Sequence, residues 1–540
     1  MIIKLAMIIV FFAITVLVGF LVARKASGVD GFVLGGRSVG PWLTAFSFGT
    51  SYFSAVIFIG YAGRFGWNFG LASTWIGLGN AFIGSLMAWM LLGRRTRVMT
   101  QHIGSRTMPD FFGLRYGSKA LRLVAAAIVF IFLIPYTASL FNGLAQLFSA
   151  SFSLPYWGWV LIMAALTGVY VIVGGYMGSA VNNFIQGIIM LVGIVAVIAA
   201  VLHSHGGLME AIAKLSEGSA TTPAGTELKG AFTSFFGPQP LQLLGVVVLT
   251  SLGTWGLPQM VGKFYAIKDE KAITKGTVIS TFFGLVVAGG CYFLGGFGRL
   301  YANSIELNAA GNPASFDAII PAMLHSVEES MGSAGAWLVG LVLILVLAAS
   351  MSTLSSLAMT SASTITLDLI APLSKKQKSE KASMVIMRLL LAASIVIAAA
   401  IAILVVSNGE MAKRLYISDL MGISWGALAG CFLAPFLYGL YWKKTTKAAV
   451  WVSFATGLGI TLTQFIVNAV LKISFENPVL SYFCGSSINA GMLAMAVGLI
   501  IVPVVSLLTQ KTKPEDTDAI FACYDRMVTV PVGTALEDEK

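Results

Sequence analysis

Charge is what this sequence has least of. Only 11% of its 540 residues are Asp, Glu, Lys or Arg, against roughly 25% in soluble domains. Hydrophobic residues make up 57%, and the mean hydropathy is +0.86. That balance excludes a soluble globular chain and indicates a polytopic helical membrane protein. Cysteine is scarce too: Cys291, Cys431, Cys484 and Cys523 stand far apart with no CxxC, which leaves neither a disulfide framework nor a cysteine metal site. The four histidines, His102, His203, His205 and His325, all fall in connectors, and the HxH at 203–205 reads as a polar loop rather than a metal pinch. With no nucleophile, base or metal cluster in an apolar segment, the chain does not read as an enzyme. The net charge of +11 is no sign of a nucleic-acid partner, because the Lys and Arg sit between apolar segments, where they set orientation. No obligate protein partner is evident; the partners implied are a lipid bilayer and a small solute.

What is there is a succession of about thirteen apolar segments long enough to span a bilayer. They lie near 5–23, 41–64, 70–93, 121–148, 155–174, 179–202, 240–262, 273–298, 336–369, 384–407, 414–441, 448–471 and 488–509. The first is too long for a signal-peptide core and runs into Arg24 and Lys25 without a small-residue cleavage site, so it reads as a retained span. Basic residues cluster after the first, third, seventh, ninth and eleventh segments, among them Arg94, Arg95, Arg97, Lys263, Lys268, Lys375, Lys376, Lys378 and Lys443. The positive-inside rule then puts the N-terminus outside and the C-terminus in the cytoplasm, for a multi-pass protein of the cell membrane. Residues 1–509 read as one transmembrane domain and 510–540 as a polar cytoplasmic tail.

Two spans are not ordinary helices. The second carries Gly49-Thr50-Ser51-Tyr52-Phe53-Ser54 at mid-depth, and the seventh carries Gly253, Gly256 and Pro258. Glycine and proline open a helix, and open backbone inside a membrane is tolerated only against protein or a wet cavity. Their matched positions, five spans apart, point to inverted repeats at about 41–202 and 240–441, the architecture of a carrier. A third stretch, 341–368, keeps its apolar run while gaining hydroxyls. Ala349, Ser352, Thr353 and Ser356 there share one helix face. A row of uncharged oxygens suits a small hard cation; the alternative is that small residues let two helices approach closely.

The segments LGGRSVGPWLTAFSFGTSY (34–52), GGYMGSAVNNFIQG (174–187), LGTWGLPQMVGKF (252–264) and LAASMSTLSS (347–356) together resemble the sodium/solute symporter family, with the pantothenate- and proline-carrying branches nearest. The resemblance implies an all-α, leucine-transporter-like fold of five-plus-five inverted repeats with extra helices at both ends. It implies a secondary active symporter in which inward Na+ flow drives uptake of a small organic solute by alternating access. Carried over, the sodium site comprises the backbone carbonyls of Thr50, Phe53 and Ala349 with the hydroxyls of Ser352 and Thr353. A second ion site would involve Ser355 and Ser356, but Asn183 stands where family members with two sodium ions carry an acid. One sodium per solute is therefore the expectation.

The solute site is expected between the two breaks, with Ser51, Tyr52 and Ser54, then Thr254, Trp255 and Gln259, and also Tyr136 and Asn142 of the fourth span. These segments read as free of Asp, Glu, Lys and Arg. A carboxylate-bearing solute, such as proline, pantothenate or a monocarboxylate, would thus be held by half-helix N-termini. Asp368, Arg388 and Asp419 near span ends read as pairing or gating groups. A channel is disfavoured by the lack of repeated pore loops. A proton-coupled carrier is disfavoured by the lack of a midplane carboxylate or histidine.

Overall fold

The computed structural model describes residues 2–23, 28–152, 154–221, 227–309, 311–374, 379–407, 417–473 and 475–525. The basic residues Arg24, Lys25, Lys375, Lys376 and Lys378, and the tail beyond Asp525, lie outside the described residues. Of the described residues 86% are helical, and the strands among them form one short hairpin, Ser219–Thr221 against Glu227–Lys229. Among the described residues, length and apolarity select ten spanning helices, or eleven when Pro240–Gly256 and Pro258–Ala266 are taken as one bent span. The difference from thirteen arises because the second half of span two runs on into span three as Val56–His102, and because the fifth, Tyr156–Val169, falls short of spanning length. Tyr156–Ser204 is one helical stretch covering the fifth and sixth expected spans, bent at Gly175 with φ 55°. A side chain at that glycine would also meet the Phe32 ring at 2.8 Å, so both conformation and space call for glycine there.

The breaks appear where the residues foretell them. The second span begins at Pro41, runs as Pro41–Tyr52 and stops at Phe53, whose φ −98° and ψ 94° are extended. It resumes through a π-helical turn, Val56–Tyr61, into Ala62–Phe69. The seventh span tightens into a 3-10 turn at Gly253–Gly256, is extended at Leu257 and restarts at Pro258, with a 46° bend. Pro258 therefore does not kink a continuous helix. It opens a new one, at the position where its missing N–H would have had no helical partner.

Burial sorts the helices. In Ile417–Tyr441, the eleventh span, 94% of the most apolar window is inside the protein, against 22% for Ile2–Val22 and 33% for Ser487–Leu508. The eleventh span and the ninth, Ser333–Thr364, are thus central, and the first and last are peripheral. From Val342 to Met359 the ninth span is buried without interruption, so its hydroxyls look for partners within the protein; in that stretch Ser350 Oγ is left without one. Residues 510–525, after the last span, fold back on the end of the bundle that carries Arg115 and Lys443: Phe521 is buried under the Arg115 guanidinium, and Asp518 pairs with Lys443 at 3.1 Å.

Candidate ion and solute sites

At the end of the first half of span two, the last carbonyls lack helical N–H partners. The ninth span supplies them. Ser352 Oγ donates to the Thr50 carbonyl at 2.9 Å and to Ala349 at 2.9 Å. Thr353 Oγ1 lies 3.1 Å from the Thr50 carbonyl, 3.4 Å from Ser51 and 3.0 Å from Ala349. Four of the five expected ion ligands, Thr50, Ala349, Ser352 and Thr353, are thus brought to one point, fully buried. The Ser51 carbonyl joins them, although only its side chain had been considered. Phe53 sits at the break with its ring stacked on Tyr52 and Phe283, and among the described residues no hydrogen bond joins it to the cluster. Two hydroxyls and three carbonyls, all neutral, fit a hard monovalent cation that needs oxygen ligands.

Beside this cluster, Ser54 of the second span faces the fourth and eleventh spans. The Tyr136 hydroxyl is directed towards Ser54 and Trp425 without closing to hydrogen-bond geometry. Ser54 Oγ, Tyr136 Oη and Trp425 Nε1 are all buried without a partner. The Trp425 ring meets Tyr136 edge-on at 5.9 Å and Tyr52 at 5.9 Å. Sequence reasoning had missed Trp425, because span eleven looked like plain lipid-depth helix. Its ISWGALAG run, a lone aromatic among small residues, was the available signal.

Three expected solute contacts go elsewhere. Thr254 Oγ1 donates to the Gly84 carbonyl at 3.1 Å, and Trp255 Nε1 to Ile83 at 3.1 Å. Both turn to the third span, because the tight turn at 253–256 directs them outward from the break. Asn142 accepts a hydrogen bond from Tyr156, nearly two turns along the helix from Tyr136. The Tyr52 hydroxyl is committed to the Thr250 carbonyl, leaving its ring as the contact surface. Ser51 Oγ pairs with Ser356 Oγ at 2.6 Å. Gln259 is buried with both amide atoms unpartnered.

The largest correction concerns charge. The pocket segments are not free of it: Lys263 is buried, and its Nζ donates to Ser356 Oγ at 3.0 Å. By composition Lys263 belonged to a basic connector, but the half-helix Pro258–Ala266 carries it inward. Gln259 and Lys263 are four residues apart and share a helix face, which was the overlooked clue. Of the second-ion candidates, Ser355 Oγ bonds its own helix at Ser352 (2.8 Å). Asn183 Nδ2 reaches Ser47 Oγ at 3.4 Å while its Oδ1 has no partner.

Ion pairs lie at the span ends. On the side where the second half of the second span meets span eleven, Arg64 reaches Asp419 at 3.0 Å and Ser418 at 2.6 Å. On the other side, Arg122 holds Asp110 and Asp368, each at 2.9 Å, and Thr107 donates to Asp368. Arg388 instead stands 5.7 Å over the Phe32 ring. Among the described residues no three His, Cys, Asp or Glu side chains gather as a metal centre.

The profile of the sodium:solute symporter family matches residues 32–504. A sodium/proline symporter of Staphylococcus aureus (strain JH9) is 28% identical over 517 residues, covering 94% of this chain and 92% of that one. Among solved structures, the substrate-bound, outward-open form of a Na+-coupled sialic acid symporter superposes with a TM-score of 0.72 at 17% identity, over 94% of this chain and 97% of that one.

Proposed function

Because this chain belongs to the sodium:solute symporter family, and so is a Na+-coupled solute carrier rather than an enzyme, we propose that its solute is a small carboxylate bound between the second, fourth and eleventh spans. The observation that carries this reading is the trio of unpartnered buried donors, Ser54 Oγ, Tyr136 Oη and Trp425 Nε1. An indole N–H can only donate, and the outer half-helix starting at Val56 turns its positive end towards the same place. Donors without a nearby carboxylate call for an acceptor on the ligand, and buried polar groups left unpaired are costly. The name of the staphylococcal relative, a proline symporter, agrees with a small carboxylate.

The sodium site is assigned to Thr50, Ser51, Ala349, Ser352 and Thr353, with Phe53 completing it when the break opens. It joins the end of one half-helix to the central ninth span. An ion there favours the arrangement in which the break faces its solute, which is how one gradient drives the other. Repeats at about 41–202 and 240–441 would rock about this point. The protein would lie in the plasma membrane with its N-terminus outside, following its basic connectors. The test is uptake into proteoliposomes under an inward sodium gradient, across proline, pantothenate, short monocarboxylates and sugars. Sodium-driven uptake of a carboxylate is expected. Transport of sugars alone would overturn the assignment.

A further inference from the structure

Lys263 stands out in a search of the whole molecule. It is buried in the inner half of the broken seventh span. Among the described residues it makes no ion pair, and its contacts are Ser356 Oγ at 3.0 Å and the face of the Tyr176 ring at 5.4 Å. Ser356 in turn shares a 2.6 Å hydrogen bond with Ser51, whose carbonyl belongs to the ion cluster. The cavity around the ammonium is lined by Ser47, Gln259, Ser355 and Ser356, and Asn183 reaches Ser47 from the sixth span. The acceptor atoms of Gln259 and Asn183 have no partner, and neither do the Gln259 amide nitrogen or the Tyr176 and Ser179 hydroxyls of the same cavity, which Arg106 also lines. Oxygen donors without any carboxylate therefore surround a position already held by a covalently attached cation.

We propose that the Lys263 ammonium is a built-in cation that takes the place of a second inorganic ion at Ser356. It would pin the second span's break to the ninth span and leave room for a single Na+. Like charges a few ångströms apart in a low-dielectric interior repel strongly, so an ion held through Ser356 and the ammonium cannot coexist. A carboxylate solute is the other conceivable partner of this ammonium, and the anion comparison below separates it from an ion cage. The proposal uses the sodium site assigned above only for the count of the first ion.

The test counts bound ions on the purified full-length protein, with Na+ alone as the probe, by equilibrium binding of radioactive sodium. One ion per chain is expected for the parent and for Lys263→Arg. Two are expected for Lys263→Ala combined with Asn183→Asp, which vacates the position and supplies a counter-charge. Two ions on the parent, or one on the folded double variant, would overturn the proposal. If the double variant does not fold, sodium-dependent thermal stabilisation of Lys263→Gln replaces it: a steeper dependence on Na+ than the parent's supports the proposal, and an identical one overturns it. Comparing sodium acetate with sodium chloride covers the anion: acetate protection that vanishes in Lys263→Gln would make the ammonium a carboxylate ligand and overturn the proposal. Ser352→Ala with Thr353→Ala, measured alongside, shows separately whether the first ion site is correctly placed.

Discussion

The two broken spans solve the same problem with different chemistry. In the second span no proline or glycine stands at the break; Tyr52, Phe53 and Ser54 do, and the opened backbone is stabilised by hydroxyls from another helix. In the seventh span the break is built in locally, by Gly253, Gly256 and Pro258, and its backbone packs against span eleven. A Cβ at Gly256 would stand 2.8 Å from Ala429 Cα and 2.8 Å from the Leu433 nitrogen. The first break delivers carbonyl oxygens; the second delivers side chains, Gln259 and Lys263, on one face of a fresh half-helix. A break held by distant hydroxyls can respond to an ion, whereas one held by its own glycines is a fixed mount. On the proposed sodium site, the first break is the responsive element.

If so, damage to the fixed mount should cost the most. Gly256→Ala forces backbone apart, which a packed interior resists, and solute uptake at normal surface expression is expected to fall about tenfold or more. Gly253→Ala is the control, since its Cβ would find its nearest neighbour at 3.4 Å, an ordinary contact, and uptake should largely persist. Equal loss in both would mean that helix propensity rather than close packing sets the break. Damage to the responsive element should show in the ion instead. Ser352→Ala with Thr353→Ala removes the two hydroxyls that meet the Thr50 carbonyl. The sodium concentration for half-maximal uptake should rise about tenfold, roughly 1.4 kcal/mol. An unchanged sodium dependence would move the ion site elsewhere.

The same contrast explains what could be read from the residues alone. Apolar length, the hydroxyl face of span nine and the glycine-proline cluster of span seven are local patterns; the fold class followed from them, and so did the face that meets the Thr50 carbonyl. Trp425 and Lys263 are not local. A tryptophan in an apolar helix looks the same whether it meets lipid or a cavity, and a lysine near a span end looks like a connector charge until the bend turns it inward. Thr254, Trp255 and Asn142 failed for a related reason: membership of the right span says nothing about which side of a tight turn a side chain leaves from.

The smallest expected effect on transport concerns how the second half of span two is held. Asp317 is buried beside it, accepts the Ile417 N–H at 3.2 Å through one oxygen and leaves the other unpartnered. Burial is the main reason its carboxyl is raised from 3.8 to about 7; the Ile417 N–H and Arg64 oppose the rise, and Asp419 adds to it. A folded value above the unfolded one means that the protonated acid fits the folded protein better than the carboxylate does. Its contribution is complete below the unfolded value near 3.8 and is lost as pH rises through about 7. The parent should therefore lose thermal stability in detergent between about pH 4 and pH 7. Asp317→Asn keeps an acceptor for Ile417 and cannot ionise, so its stability should be flatter across that window. If the asparagine variant slopes as the parent does, the outer contact rests on the Arg64–Asp419 pair alone, and the two ends of span two are anchored by chemistry more alike than the structure indicates.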